Sequence, residues 1–166
     1  MQHDKENIMV ILSSPSGVGK TTLTKKIQQK YKNFKISVSL TTRTPRSNEV
    51  DGVDYHFVSK EKFKELIDKG KFYEYAKIFE NYYGTLKKSV DDTIKENDIL
   101  FDIDWQGTKQ LSEFKNLNLI KIFLITDKEE LKSRLIKRNQ NTKQEVKKRF
   151  DSFDEDIRHW NDYDYI

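Results

Sequence analysis

Residues suited to phosphate chemistry gather early in this chain of 166 residues, at Ser14-Pro15-Ser16-Gly17-Val18-Gly19-Lys20-Thr21-Thr22. Glycines let backbone N–H groups face a polyphosphate without Cβ interference. A helix N-terminus favours the anion, a lysine reaches β- and γ-phosphates, and a hydroxyl can bind Mg²⁺. Gly17, Gly19, Lys20 and Thr21 supply those parts. An apolar run at Ile8–Leu12 precedes the loop and an amphipathic stretch from Thr22 to Tyr31 follows it. Ser14 stands where the usual pattern opens with glycine, which a serine can do if its φ need not be positive. The alternative is a glycine-rich turn with an incidental lysine. Strand, loop, Lys-Thr-Thr and helix in that order favour a nucleoside triphosphate site.

Three further groups suit the same chemistry. Arg43 and Arg46 flank Pro45 in a loop, because proline disfavours helix at Thr44, and two guanidiniums there can clamp a phosphate. Tyr55 and Tyr83 offer hydroxyls; alone, the two arginines read equally as surface residues. Arg134 and Arg138 share a helix face at i,i+4, and Arg149 follows after a polar break. A helix–loop–helix bearing three arginines can fold over a transferring phosphoryl group, although a solvated hairpin fits those residues as well. Asp102 and Asp104 end an apolar strand, the expected place for a Mg²⁺ ligand or its water shell. Either could face the metal.

Positioning these groups requires alternating strands and helices, hence an α/β fold with a mostly parallel sheet flanked by helices. Strands are expected at Ile8–Ser13, Lys35–Leu40, Ile99–Ile103 and Leu119–Ile125. Capping boxes at Thr126–Glu129 and Thr142–Glu145 announce two helices, the second carrying Val146, Phe150 and Phe153 at helical spacing. From about 41 to 85 the texture changes. Val53–Val58 and Phe72–Phe79 alternate around a helical stretch at Ser59–Lys69, a mixed subdomain inserted between core segments 8–40 and 86–166. A lid is expected at about 134–149.

Composition narrows the classes. Lys and Arg number 31 against 27 Asp and Glu, net +4, with no cysteine. Disulfides and thiolate metal sites are therefore excluded. A pI near 9.0 permits nucleic-acid binding, but the lysines are dispersed through helical segments, which reads as solvated helix faces rather than a binding stripe. No apolar run approaches a membrane span, and the polar start lacks a signal-peptide core, so a cytoplasmic protein binding neither nucleic acid nor membrane is expected. His3, His56 and His159 are too scattered for a metal site. Oligomeric state is not legible.

Together with Ser39–Arg46, Glu49–Tyr55, Asn81–Gly84 and Asp102–Gly107, these segments resemble bacterial guanylate kinases from about Ile8 to the last residue. The resemblance implies a P-loop NTPase core with an inserted α+β GMP-binding subdomain and a helical lid. It implies transfer from ATP to GMP, and to dGMP, with Mg²⁺. Arg43, Arg46, Tyr55 and Tyr83 would hold the GMP phosphate. Ser39, Glu74 and Thr85 would read guanine, and Glu49, Asp102 and Asp104 would support the acceptor site and Mg²⁺, the metal lying at Thr21 and Asp102. Lys20, Arg134, Arg138 and Arg149 would stabilise the transferring group. The family continues into a further strand and helix beyond Ile166, so the chain reads as short at that end. The rivals are a kinase for another phosphate ester, such as a ribose bisphosphate, and a non-catalytic guanylate-kinase-like binding module. Glu74 and Ser39 argue against the first; intact Lys20 and Thr21 argue against the second.

Overall fold

Every side chain of the strand Met9–Ser13 is buried, as a continuous apolar run demands of a strand covered on both faces. In the computed structural model, which describes residues 7–137 and 142–166, the chain runs β1 (Met9–Ser13), α1 (Lys20–Lys30), β2 (Phe34–Ile36), β3 (Leu40–Thr41), β4 (His56–Phe57), α2 (Lys60–Asp68), β5 (Phe72–Ile78), β6 (Asn81–Leu86), α3 (Lys87–Thr93), β7 (Asp98–Asp102), α4 (Trp105–Ser112), β8 (Leu119–Phe123), α5 (Lys128–Lys137), α6 (Lys143–Asp151) and α7 (Phe153–Ile157). The order β2-β7-β1-β8 forms a parallel sheet. Alternation along β1 divides the core between the sheet's two faces. Val10 and Leu12 pack with Leu100, Ile27 and Ile36 on one face. Met9 and Ile11 pack with Ile99, Phe101, Val90 and Leu111 on the other.

A second sheet, ordered β4-β3-β6-β5, is mixed: β3 pairs parallel with β4, while β6 runs antiparallel to β3 and β5. Helix α2 starts at Ser59, whose hydroxyl accepts from the Lys62 amide, and buries Phe63 against Phe72 with ring centroids 4.6 Å apart. Gly84 is required there by space. A Cβ would lie 2.9 Å from Phe72 and 3.0 Å from the Glu74 carbonyl oxygen.

Four expectations are corrected. Lys35–Leu40 is not one strand, because the chain leaves the first sheet after Ile36 and enters the second at Leu40. Only His56–Phe57 of the stretch 53–58 pairs as a strand; residues 52–54 turn and Tyr55 makes an isolated bridge to Asp51, with the Gly52 amide donating to the Tyr55 carbonyl at 2.8 Å. The cap of α5 is Asp127 rather than Thr126, since Asp127 Oδ1 accepts from the Glu130 amide at 2.8 Å. The apolar stripe Val146–Phe153 spans two helices, α6 and α7, with Ser152 between them.

That stripe has a clear purpose in packing. Val18 of the glycine-rich loop, Leu131 and Leu135 of α5, and Phe153 of α7 form one buried cluster, joined by Val146 and Phe150. Leu131→Ala should therefore cost about 2–5 kcal/mol in urea unfolding; a change within measurement error would mean that the loop does not rest on this cluster.

Candidate active site

The loop after β1 takes its shape from two glycines. Gly17 and Gly19 hold φ of 102° and 115°, in the left-handed region where other residues are strained. Gly17 is also pressed on α5: a Cβ there would lie 2.7 Å from Leu135 Cδ2. Ser14 needs no positive φ, since among the described residues Phe79 alone has one outside glycine. Its hydroxyl donates to the Pro15 carbonyl at 2.9 Å. Gly19 caps α1, so Lys20 and Thr21 begin the helix, whose positive end lies at the loop.

The parallel register sets Leu12 beside Asp102, which brings that carboxylate to the loop. Lys20 Nζ is 3.2 Å from Asp102 Oδ1, and Thr21 Oγ1 donates to Asp102 Oδ2 at 2.6 Å. Asp104 lies beyond the end of β7 and caps α4: Oδ1 accepts from the Gly107 amide and Oδ2 from the Gln106 amide group, both at 3.0 Å. A hydroxyl and a carboxylate side by side fit Mg²⁺, a hard cation that takes few protein oxygens and completes its shell with water and phosphate.

Across the cavity, Glu49 organises both loop arginines. Its Oε1 pairs with Arg43 Nη2 at 2.8 Å and lies 3.7 Å from Arg46 Nη1, while Oε2 accepts from the Arg46 amide at 2.8 Å. Burial opposes the Glu49 charge, yet these arginine contacts hold its carboxyl below the usual range. The Arg43 guanidinium and the Arg46 backbone are thus held before any phosphate binds. Tyr55 stacks edge-on against Tyr83, centroids 5.9 Å apart. Burial, with the nearby Asp102 charge, raises the Tyr55 hydroxyl above its ordinary range, so it stays a donor.

Glu74, on β5, is 3% exposed, and its Oε1 meets no hydrogen-bond partner among the described residues. Burial pushes its carboxyl up to about 7; Thr85, its cross-strand neighbour, lowers it and the Asp104 charge raises it. Ser39 Oγ lies 3.4 Å from Thr85 Oγ1. Glu74 and Ser39 line one cavity of about 380 Å³ together with Gly17, Gly19, Lys20, Thr21, Arg43, Arg46, Tyr55, Tyr83, Asp102, Asp104 and Arg149.

The predicted arginines of α5 and α6 separate. Arg149 Nη1 donates to Ser16 Oγ at 2.9 Å and faces the cavity. Arg134 sits on the loop's other side, donating to the Val18 carbonyl at 2.5 Å and to Glu130 at 2.7 Å, in a groove shared with Thr22 and Gly19. Arg138 lies outside the described residues. Among the cavity residues that the sequence did not mark are Trp105 and Asp156. Burial and the Asp104 charge push Asp156 up to about 6, against Lys20, the Trp105 indole and the Ser16 amide. Nothing local marks Asp156, because α7 acquires its neighbours only by docking on the loop.

A glycine-rich loop on a parallel α/β sheet, facing a second anion-binding wall across one cavity, defines a P-loop phosphoryl-transfer enzyme. The guanylate kinase family model matches residues 6–166. Guanylate kinase from Paramagnetospirillum magneticum is 43% identical over 164 residues, covering 98% of this chain and 77% of that protein. Guanylate kinase from Clostridioides difficile is 44% identical over 163 residues, covering 98% and 80%. The crystal structure of guanylate kinase from Anaplasma phagocytophilum superposes with a TM-score of 0.76 at 34% identity, covering 96% of this chain and 74% of that one. The chain belongs to the guanylate kinase family, enzymes that phosphorylate a nucleoside monophosphate. No helix among the described residues is long and apolar enough to cross a membrane.

The Glu74 environment has a measurable consequence. Between the ordinary carboxyl value and about 7, the folded chain keeps a proton that the unfolded chain releases. Stability from this group is full below that window and is lost as pH rises through it. Glu74→Gln cannot ionise, so its thermal midpoint relative to the parent should rise from pH 5 to pH 8. A difference constant with pH would place the carboxyl near its ordinary value.

Proposed function

We propose that this chain transfers the γ-phosphoryl group of ATP to GMP, giving ADP and GDP, with dGMP as an alternative acceptor. The observation that carries the reading is Glu74: a buried carboxylate with an unmet oxygen, on the wall of the cavity that also holds the glycine-rich loop. Guanine presents two adjacent donors, N1–H and the 2-amino group, which a carboxylate accepts together. Adenine lacks that pair and would leave a buried acceptor unmet, which penalises it heavily.

In this reading Arg43, Arg46, Tyr55 and Tyr83 hold the acceptor phosphate, and Ser39 and Thr85 complete the base pocket beside Glu74. Glu49 keeps the arginines aligned, and Asp104 anchors the wall beneath. Residues 14–22 cradle the ATP phosphates, with Lys20 leaving Asp102 for the β- and γ-oxygens. Thr21, and Asp102 through water, would hold Mg²⁺, which would neutralise charge on those phosphates. An oxygen of the GMP phosphate attacks the γ-phosphorus, the bond to the β,γ-bridging oxygen breaks, and ADP leaves carrying that electron pair. The attacking oxygen is already ionised, so positioning and electrostatics carry the rate rather than a base.

Arg149, already on Ser16, would neutralise charge on the transferring group from the side of α6. Arg134 approaches the loop from behind and would act after the segment 134–149 closes as a lid. The insert, about 41–85, would close toward the core in the same step and exclude water.

Two outcomes test this. With Mg-ATP, a coupled ADP-release assay should show turnover with GMP and dGMP and none with AMP, CMP, dTMP or a ribose bisphosphate, while Lys20→Ala should lower kcat by about 10²–10³-fold. Turnover of the ribose bisphosphate instead, or a Lys20→Ala variant with parental kcat, would remove the assignment. The GMP KM should fall as pH rises through about 7, because only ionised Glu74 accepts both guanine donors. GMP's own second ionisation near 6 gives a background that Glu74→Gln shares, so matching pH profiles in parent and variant would exclude Glu74 as the reader.

A further inference from the structure

Helix α4 touches the base-reading wall from the core side at two points spaced i,i+3, and neither point belongs to the acceptor or donor contacts described above. The first is Gln110. Its Oε1 accepts from the Tyr75 amide at 3.0 Å and its Nε2 donates to the Tyr75 carbonyl at 2.7 Å. Strand β5 is the edge of its sheet, so these two groups of Tyr75 face outward with no neighbouring strand. One side-chain amide thus replaces a missing strand partner. It does so at the residue after Glu74, and next to the irregularity in register between Phe72 and Glu74, where the β-ladder alone fixes the backbone least.

The second point is Gly107. A Cβ on it would lie 2.5 Å from Glu74 Oε2 and 3.1 Å from the carboxyl carbon. Its φ is not in the left-handed region, so the backbone would accept alanine, and glycine is needed for the space. The same residue donates its amide to Asp104 Oδ1, which fixes this turn of the helix. The Glu74 carboxylate therefore lies against a bare helix surface on its Oε2 side, while its backbone is clamped one residue further on.

We propose that Gln110 and Gly107 are positioning residues for acceptor specificity: from the core side they set where the Glu74 carboxylate stands, and hence how sharply the site separates a 2-amino-6-oxopurine from a 6-oxopurine lacking the amino group. The proposal rests on the reading of Glu74 as the guanine acceptor. It implies that the base-reading strand is tied to the core through its backbone, whereas the segment carrying Arg43, Arg46 and Tyr55 meets the core through a side-chain ion pair, Lys25 Nζ to Asp54 at 2.6 Å.

The test measures kcat/KM for GMP and for IMP, together with the ATP KM, in the parent, Gln110→Leu and Gly107→Ala, each with and without Glu74→Gln. The GMP-to-IMP ratio should fall about tenfold in each single variant, as expected for a reading group displaced by a fraction of an ångström. The ATP KM should stay at the parental value. Alanine favours helix over glycine, so a loss in Gly107→Ala reports the carboxylate rather than an unfolded α4. In the Glu74→Gln background neither substitution should lower the ratio further, because residues acting through one group are not additive. Parental ratios in Gln110→Leu and Gly107→Ala, or losses that multiply fully with Glu74→Gln, would overturn the proposal. A parent inactive on GMP would overturn the function itself, which keeps the two failures distinct.

Discussion

The parallel pairing of β1 with β7, in the register that sets Leu12 beside Asp102, is the constraint from which the site is built. Parallel strands end at the same edge, so the loop leaving β1 and the carboxylate ending β7 must emerge together. Lys20 and Thr21, which open α1, then meet Asp102 at contact distance. A shift of one residue would turn Asp102 to the other face of the sheet and put Ile103 or Phe101 beside the loop. Because Ile11 and Phe101 are fully buried, that shift would also expose the core. Packing and chemistry select the same register.

Charge in the cavity is arranged so that neither wall is neutral by itself. Near the loop, Asp102 and Asp156 face Lys20; opposite, Glu49 faces Arg43 and Arg46. Each cation is thereby held in place before a phosphate arrives, and incoming phosphates exchange one anionic partner for another rather than ordering a mobile side chain. Glu74 is the exception. Its carboxyl is buried with one oxygen unmet and is pushed up to about 7, a cost to the folded state that a guanine with two donors would relieve. On the proposed reading, the chain gives up stability at the point where it discriminates.

The two sheets and the three C-terminal helices meet around this cavity through different means. Apolar packing seats α5, α6 and α7 under the glycine-rich loop through Val18, Leu131 and Leu135. The mixed sheet joins the core by both kinds of contact: Tyr73 packs against the apolar core and Phe114, while Gln110 bonds Tyr75 and Lys25 pairs with Asp54 at 2.6 Å. Apolar burial is non-directional and tolerates sliding, while a pair of hydrogen bonds to one residue's backbone does not. Glu74 lies between the two kinds of contact, Tyr73 in the apolar core on one side and Tyr75 bonded to Gln110 on the other.

The glycine-rich loop, the flanking strand and helix, the parallel core and the arginine pair around Pro45 were legible in the chain itself. Each is written in residues adjacent in sequence: glycines at fixed offsets, apolar runs of strand length, a proline that forbids helix. Other features were decided by tertiary structure. Lys35–Leu40 splits between two sheets because its ends pair with different strands, β7 and β6, which no local pattern records. The α5 cap falls on Asp127 rather than Thr126 because both residues suit a cap, and docking of Leu131 and Leu135 fixes the phase of the helix. Arg134 and Arg149 part company because α5 packs behind the loop while α6 comes to its open side. Asp156, Gly107 and Gln110 carry no signal of their own. Their roles arise from side chains brought close across 30 residues or more of chain, and such proximity is a property of packing rather than of sequence order.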